Sequence, residues 1–99
     1  MIVRIVKLKI RQDGLNDFAQ KFVAVRDKIN SFRGCKHVEL LDAIGEPGTV
    51  FTYSLWESEE SLEEYRKSEL FDATWKDVKL LFNGKPEAWS LRSHDEIKV

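Results

Sequence analysis

A strand that runs directly into a broken amphipathic helix constrains this fold more than any other feature of the chain. The run VFTYSLW, residues 50–56, is rich in β-branched and aromatic residues and reads as a strand closing on Trp56. Ser58 stands where a helix N-cap belongs, and Leu62 and Tyr65 follow at helical spacing. Ser68 is a second N-cap candidate, followed by Phe71, Trp75 and Val78. Each part of this helix therefore carries large aromatic side chains. Aromatic rings gathered at a strand–helix junction either line a pocket for a flat apolar ligand or fill a small core.

The remaining elements follow from periodicity and turn residues. Residues 2–10 are dominated by β-branched side chains and read as a strand. Asp13-Gly14 interrupts it, and Leu15, Phe18, Phe22, Val25 and Ile29 then recur every three or four residues, which predicts a helix to about Asn30. Arg33-Gly34 is a stop, and residues 35–43 read as a second strand. Gly45-Glu46-Pro47-Gly48 turns that strand into the one ending at Trp56, so the two form a hairpin. The broken helix is expected over 58–82, closed by Asn83-Gly84, with a last strand from Pro86 to about Arg92. Residues 1–92 thus make one domain, and residues 93–99 a tail or short edge strand.

Composition excludes several functions. The chain has 99 residues and a formal net charge of −1, with both signs dispersed, so there is no electrostatic footprint for nucleic acid. No apolar run approaches the ~18 residues of a membrane span. The opening MIVRIVKLKI alternates charge with apolar residues, unlike a signal peptide, and the single Cys35 has no partner for an internal disulfide. The expected location is the cytoplasm.

The order β-α-β-β-α-β is the split βαβ, ferredoxin-like arrangement of an α+β protein. Right-handed crossovers place both helices on one face of an antiparallel sheet and leave the other face uncovered. With Thr52, Ser54 and Trp56 toward the helices, Phe51, Tyr53 and Leu55 point away. Val3, Ile5, Val38, Leu40, Trp89 and Leu91 are expected to share that open face. So large an apolar patch predicts a homodimer, sheet against sheet.

Four segments, MIVRIVKL, FRGCKHVELL, FTYSLWESEESLEEYRKSELF and KPEAWS, carry a resemblance, and the strand-end Trp followed by S-x-x-x-L-x-x-Y-x-x-S-x-x-F carries it most specifically. With these residues the chain resembles the antibiotic-biosynthesis-monooxygenase-like family of dimeric α/β-barrel proteins. The resemblance implies a pocket between the helices and the sheet of each subunit. Members include cofactor-independent oxygenases of aromatic polyketide-type substrates and haem-degrading enzymes. The haem-degrading branch uses an Asn on the first strand, a Trp ending the third strand and an iron-ligating His on the second helix. Trp56 matches the Trp, but Val6 and Trp75 occupy the Asn and His positions, so the resemblance does not extend to haem breakdown.

The candidate pocket residues are Trp56 and Trp75 for stacking, Arg4 for charge stabilisation, Tyr65, Thr52 and Ser54 for polar contacts, and Val6, Phe22 and Phe71 in the wall. Arg4 has an alternative role, pairing with an acid such as Glu39 at the rim. Cys35, His37 and Glu39 alternate along the second strand and are expected on one face, as a minor candidate for a metal or a Cys–His pair. The acidic run Glu57, Glu59, Glu60, Glu63 and Glu64 reads as a solvated helix face. Neither a phosphate-binding loop nor a Ser-His-Asp set is present in the sequence pattern. The expected protein is a monooxygenase-like dimer with a small aromatic substrate, no metal and no cofactor. The alternative is a non-catalytic small-molecule-binding or stress-response dimer.

Overall fold

The computed structural model describes residues 1–94. Its elements run β1 (Ile2–Lys9), α1 (Leu15–Asn30), β2 (Cys35–Asp42), β3 (Thr49–Trp56), α2 (Glu59–Arg66), α3 (Glu69–Val78) and β4 (Glu87–Arg92), with 3₁₀ turns at Gln12–Gly14 and Lys79–Leu81. The tail expected over 93–99 falls mostly on residues 95–99, outside the described residues. No helix among the described residues is long and apolar enough to cross a membrane.

The two serines explain why the second helical segment is divided. Ser58 Oγ accepts from the Ser61 backbone N–H at 3.1 Å and opens α2. Ser68 acts at both sides of the break: its hydroxyl donates to the Tyr65 carbonyl at 2.6 Å, and its oxygen accepts from the Phe71 N–H at 3.1 Å. One side chain thus satisfies a carbonyl ending α2 and an orphan donor starting α3. The break sets the angle at which Phe71 and Trp75 reach the sheet. Gly34, which ends the turn after α1, has φ +87°, and a side chain there would collide with Ser61. That close approach lets the Gly34 carbonyl accept from the Glu57 N–H at 2.8 Å and ties the turn to the end of β3.

The sheet order is β2-β3-β1-β4, with every neighbouring pair antiparallel. This is the ferredoxin-like topology. The register opposes Ile2 to Trp56, Arg4 to Ser54, Val6 to Thr52 and Leu8 to Val50, all on the helix-covered face. The core lies on that face in two clusters. One holds Ile2, Phe22, Ile29, Val38, Trp56 and Leu62; the other holds Leu8, Ile10, Phe18, Val50, Val78 and Leu81.

Strand β2 departs from the sequence reading. Val38 pairs with Ser54 and Leu40 with Thr52, so both lie under the helices rather than on the open face. Val38 is buried in the Trp56 cluster, and Leu40 packs against both clusters. The physical reason is that α1 packs over β2 and requires apolar residues beneath it. The residues of β2 on the open side are His37, Glu39 and Leu41, opposite Leu55, Tyr53 and Phe51. A register shift between Cys35 and His37 also separates two residues expected on one face. Cys35 stands opposite Trp56 and packs against the core, whereas His37 stands opposite Leu55. Val3, Ile5, Phe51, Tyr53, Leu55, Trp89 and Leu91 occupy the open face by register.

Candidate functional site

Between α1–α3 and the covered face of the sheet lies a cavity of about 360 Å³. Its wall includes Arg4, Val6, Phe22, Thr52, Ser54, Trp56, Tyr65, Phe71 and Trp75, which brings all nine candidate residues into one place. Five of them come from β1 and β3, four through the pairs Arg4–Ser54 and Val6–Thr52 and the fifth as Trp56 opposite Ile2; α1 supplies Phe22, and α2 and α3 supply Tyr65, Phe71 and Trp75. The volume is at the small end of ligand sites, about the size for two or three fused rings.

The rings form a connected series. Trp56 and Tyr65 are stacked, with centroids 4.9 Å apart and planes at 26°. Tyr65 meets Phe71 edge-on at 5.3 Å, and Phe71 stacks on Trp75 at 5.9 Å with planes at 11°. Phe32 meets both Trp56 and Tyr65 edge-on, and Phe82 does the same to Trp75. The two tryptophans differ in exposure. Trp56 is 0% exposed, and its indole N–H donates to Ser54 Oγ at 2.9 Å. Tyr65, Phe71 and Trp75 are partly exposed, so they present the ring surface that a ligand can reach.

The polar groups are few. Burial pushes the Tyr65 phenol up to about 12, with a smaller contribution from the neighbouring Cys35. It therefore stays protonated at neutral pH and can donate a hydrogen bond but not act as a base. Burial also pushes the Cys35 thiol up, partly opposed by its hydrogen bond to the His37 carbonyl. The Arg4 guanidinium is lowered first by burial and then by Arg66, with Glu63 acting in the opposite direction. Its Nη1 donates to Ser90 Oγ at 2.9 Å. Arg4 does not pair with Glu39, because the two lie on opposite faces of the sheet.

Arg66 and Thr74 also line the cavity and were not singled out from the sequence. The signal was present in the helical spacing. Arg66 is four residues after Leu62, and Thr74 three after Phe71, so each lies on the inward side of its helix. Val38 lines the cavity as well, a consequence of the β2 register.

The expected Cys-His-Glu grouping is divided by the β2 irregularity. His37 Nε2 lies 3.1 Å from Glu39 Oε1, on the open face and away from the cavity. No group of three or more metal-ligating side chains occurs among the described residues. The cavity also does not fit a haem held by a helix histidine: among the described residues no histidine lines it, and Trp75 lines it from α3. Haem titration is expected to give no ligated Soret band that depends on α3. A tight stoichiometric band surviving both His37→Ala and His94→Ala would contradict this.

Fold and cavity together describe a ferredoxin-like domain with an aromatic chamber between its helices and sheet. A family model of antibiotic biosynthesis monooxygenases matches residues 1–77, and the chain belongs to that family. Solved structures share the fold. A candidate antibiotic biosynthesis monooxygenase from Caulobacter crescentus superposes with a TM-score of 0.88 at 20% identity, covering 93% of this chain and 88% of that one. Rv0793 from Mycobacterium tuberculosis gives 0.85 at 18%, covering 98% of each chain. A further candidate monooxygenase, from Deinococcus radiodurans, gives 0.87 at 12%, covering 100% and 98%. No curated protein matches the sequence.

Proposed function

We propose that the protein is a cytoplasmic homodimer that binds a small planar aromatic substrate in the cavity of each subunit and oxygenates it without a cofactor. The observation that carries this reading is the cavity itself, with accessible faces of Tyr65, Phe71 and Trp75 above a floor holding Val6 and Thr52. Membership of the monooxygenase family supports the reaction class. The open sheet face supports the assembly, because the register gathers Val3, Ile5, Phe51, Tyr53, Leu55, Trp89 and Leu91 there.

The substrate supplies the electrons. For an anthrone, the two C–H bonds of the ring CH₂ break and one C=O bond forms. One oxygen atom of O₂ enters the product and the other leaves as water with the two hydrogens, so O₂ takes up the four electrons that the substrate loses. The side chains orient the ring, exclude water from it and hold its oxygen, with Arg4 and the Tyr65 phenol as donors. Deprotonation then relies on the acidity of the substrate beside a cation, since among the described residues no carboxylate or imidazole lines the cavity.

That same absence favours the second reading, a non-catalytic small-molecule-binding or stress-response dimer. Binding and O₂ uptake with a panel of naphthols and anthrones separate the two. The enzyme reading predicts anthraquinone formation faster than the uncatalysed rate. Trp75→Ala is expected to weaken binding about tenfold, the loss of one aromatic stacking contact. Saturable binding with no product would support the second reading, and no binding by any member of the panel would contradict both.

A further inference from the structure

We propose that the ligand of this cavity is an anion, an aromatic carboxylate or equivalent oxyanion whose charged group is held jointly by Arg4 of β1 and Arg66 of α2. The proposal rests on the reading of the cavity as an aromatic-binding site and adds the charge of what binds there. Both arginines line one cavity, and among the described residues no carboxylate lines it. The chamber therefore has an apolar, ring-lined part and a cationic part, which matches a molecule with a flat hydrocarbon body and one acidic group.

Among the described residues, the pairings of the two arginines leave Arg4 without a carboxylate and Arg66 with an exposed one. Arg4 is half-buried and donates to a neutral hydroxyl, Ser90 Oγ, at 2.9 Å. No carboxylate among the described residues lies within ion-pair distance of it. Arg66 Nη1 meets Glu63 Oε2 at 3.3 Å, but the two side chains are 43% and 50% exposed, and so open an ion pair is weak and easily exchanged. The positive charge of Arg66 also acts unfavourably on that of Arg4. A half-buried cation with no carboxylate partner, beside a second cation held only by an exposed ion pair, is the arrangement an entering anion relieves. A planar carboxylate has two oxygens, enough to accept from both forks at once.

A purely structural role for Arg4, as a strand residue tied to Ser90, gives no reason for Arg66 to share its wall. It also predicts no discrimination between ligands of the same shape and different charge. The test is therefore titration calorimetry with three probes of one shape: 2-naphthoate, neutral 2-naphthamide and cationic 2-naphthylmethylammonium. The unmodified protein is expected to bind naphthoate at least about tenfold more tightly than the amide, the usual advantage of a charge-assisted hydrogen bond, and the cation least. The preference should shrink as salt is raised. It should fall in Arg66→Met, a substitution on an exposed side chain, and vanish in the Arg4→Met/Arg66→Met double variant, in which naphthoate and naphthamide should bind alike. Glu63→Gln should move affinity the other way, tightening naphthoate roughly two- to threefold by removing the competing carboxylate.

Equal affinity for naphthoate and naphthamide would overturn the anionic assignment and leave the aromatic site standing. A naphthoate preference that survives the double variant would overturn the role of the two arginines. Failure of all three probes to bind would overturn this inference together with the reading on which it rests.

Discussion

Trp56→Ala is expected to destabilise the protein by about 3–5 kcal/mol, the range for deleting a large aromatic side chain from a closed core. The indole is 0% exposed, carries Tyr65 on one face and Phe32 at its edge, and packs among Ile2, Phe22, Ile29, Val38 and Leu62. Its removal leaves a cavity and also orphans Ser54 Oγ, which accepts the indole N–H. Trp56→Phe should recover most of the packing and lose the hydrogen bond, at a cost of about 1–2 kcal/mol. Denaturant unfolding measures both. A loss below about 1 kcal/mol in Trp56→Ala would show that the ring is not the closed wall behind Tyr65. Trp75 is expected to behave differently, because its ring is partly open to the cavity. Its replacement should affect binding more than stability.

The second large effect concerns assembly. The open face of the sheet presents Phe51, Tyr53 and Leu55 on β3 beside Val3 and Ile5 on β1, and extends to Trp89 and Leu91 on β4. Trp89 and Leu91 are 42% and 47% exposed, and Leu41 of β2 adds 41% at the other edge. Pairing this face with a second copy needs about 800 Å² per partner for an ordinary specific interface, which a four-stranded sheet face can supply. Light scattering at micromolar concentration is expected to give twice the chain mass of 11.6 kDa. Tyr53→Glu should dissociate the dimer or unfold the chain, because it buries an unpaired carboxylate at the centre of the face. A monomer mass for the unmodified protein would contradict the assembly.

Local signals made the elements legible. The helix bounds follow from caps and from apolar spacing, and Ser58 and Ser68 cap where their positions before Leu62 and Phe71 imply. The parity of β1, β3 and β4 follows once Trp56 is set on the helix side, because the register runs from Trp56 through Ile2 to Arg92. The parity of β2 was not. Its apolar residues fall on both sides, with Val38 and Leu40 inward and Leu41 outward. A register shift after Cys35 also separates it from any counting that starts at the strand end. Only the position of α1 over β2 decides which side is covered, and that is a tertiary fact.

The candidate site shows the same division. The aromatic members could be gathered from the strand–helix junction, but whether each ring is open or closed depends on its neighbours. Tyr65 stacks on Trp56 and closes it, which no spacing rule states. Arg66 was lost among the charges of α2, whose acidic residues read as a solvated face. Its place beside Leu62 on the inward side is what gives the cavity a second cation.

The central claim is that a planar aromatic ligand occupies the space between α2–α3 and the sheet. Backbone and indole chemical-shift mapping during titration with 2-naphthoate tests it most directly. The expected result is a saturable set of shifts at Val6, Thr52, Thr74 and the Trp75 indole, with smaller changes at the buried Trp56 indole. Shifts confined to Phe51, Tyr53 and Leu55 on the open face, or none that saturate, would contradict it.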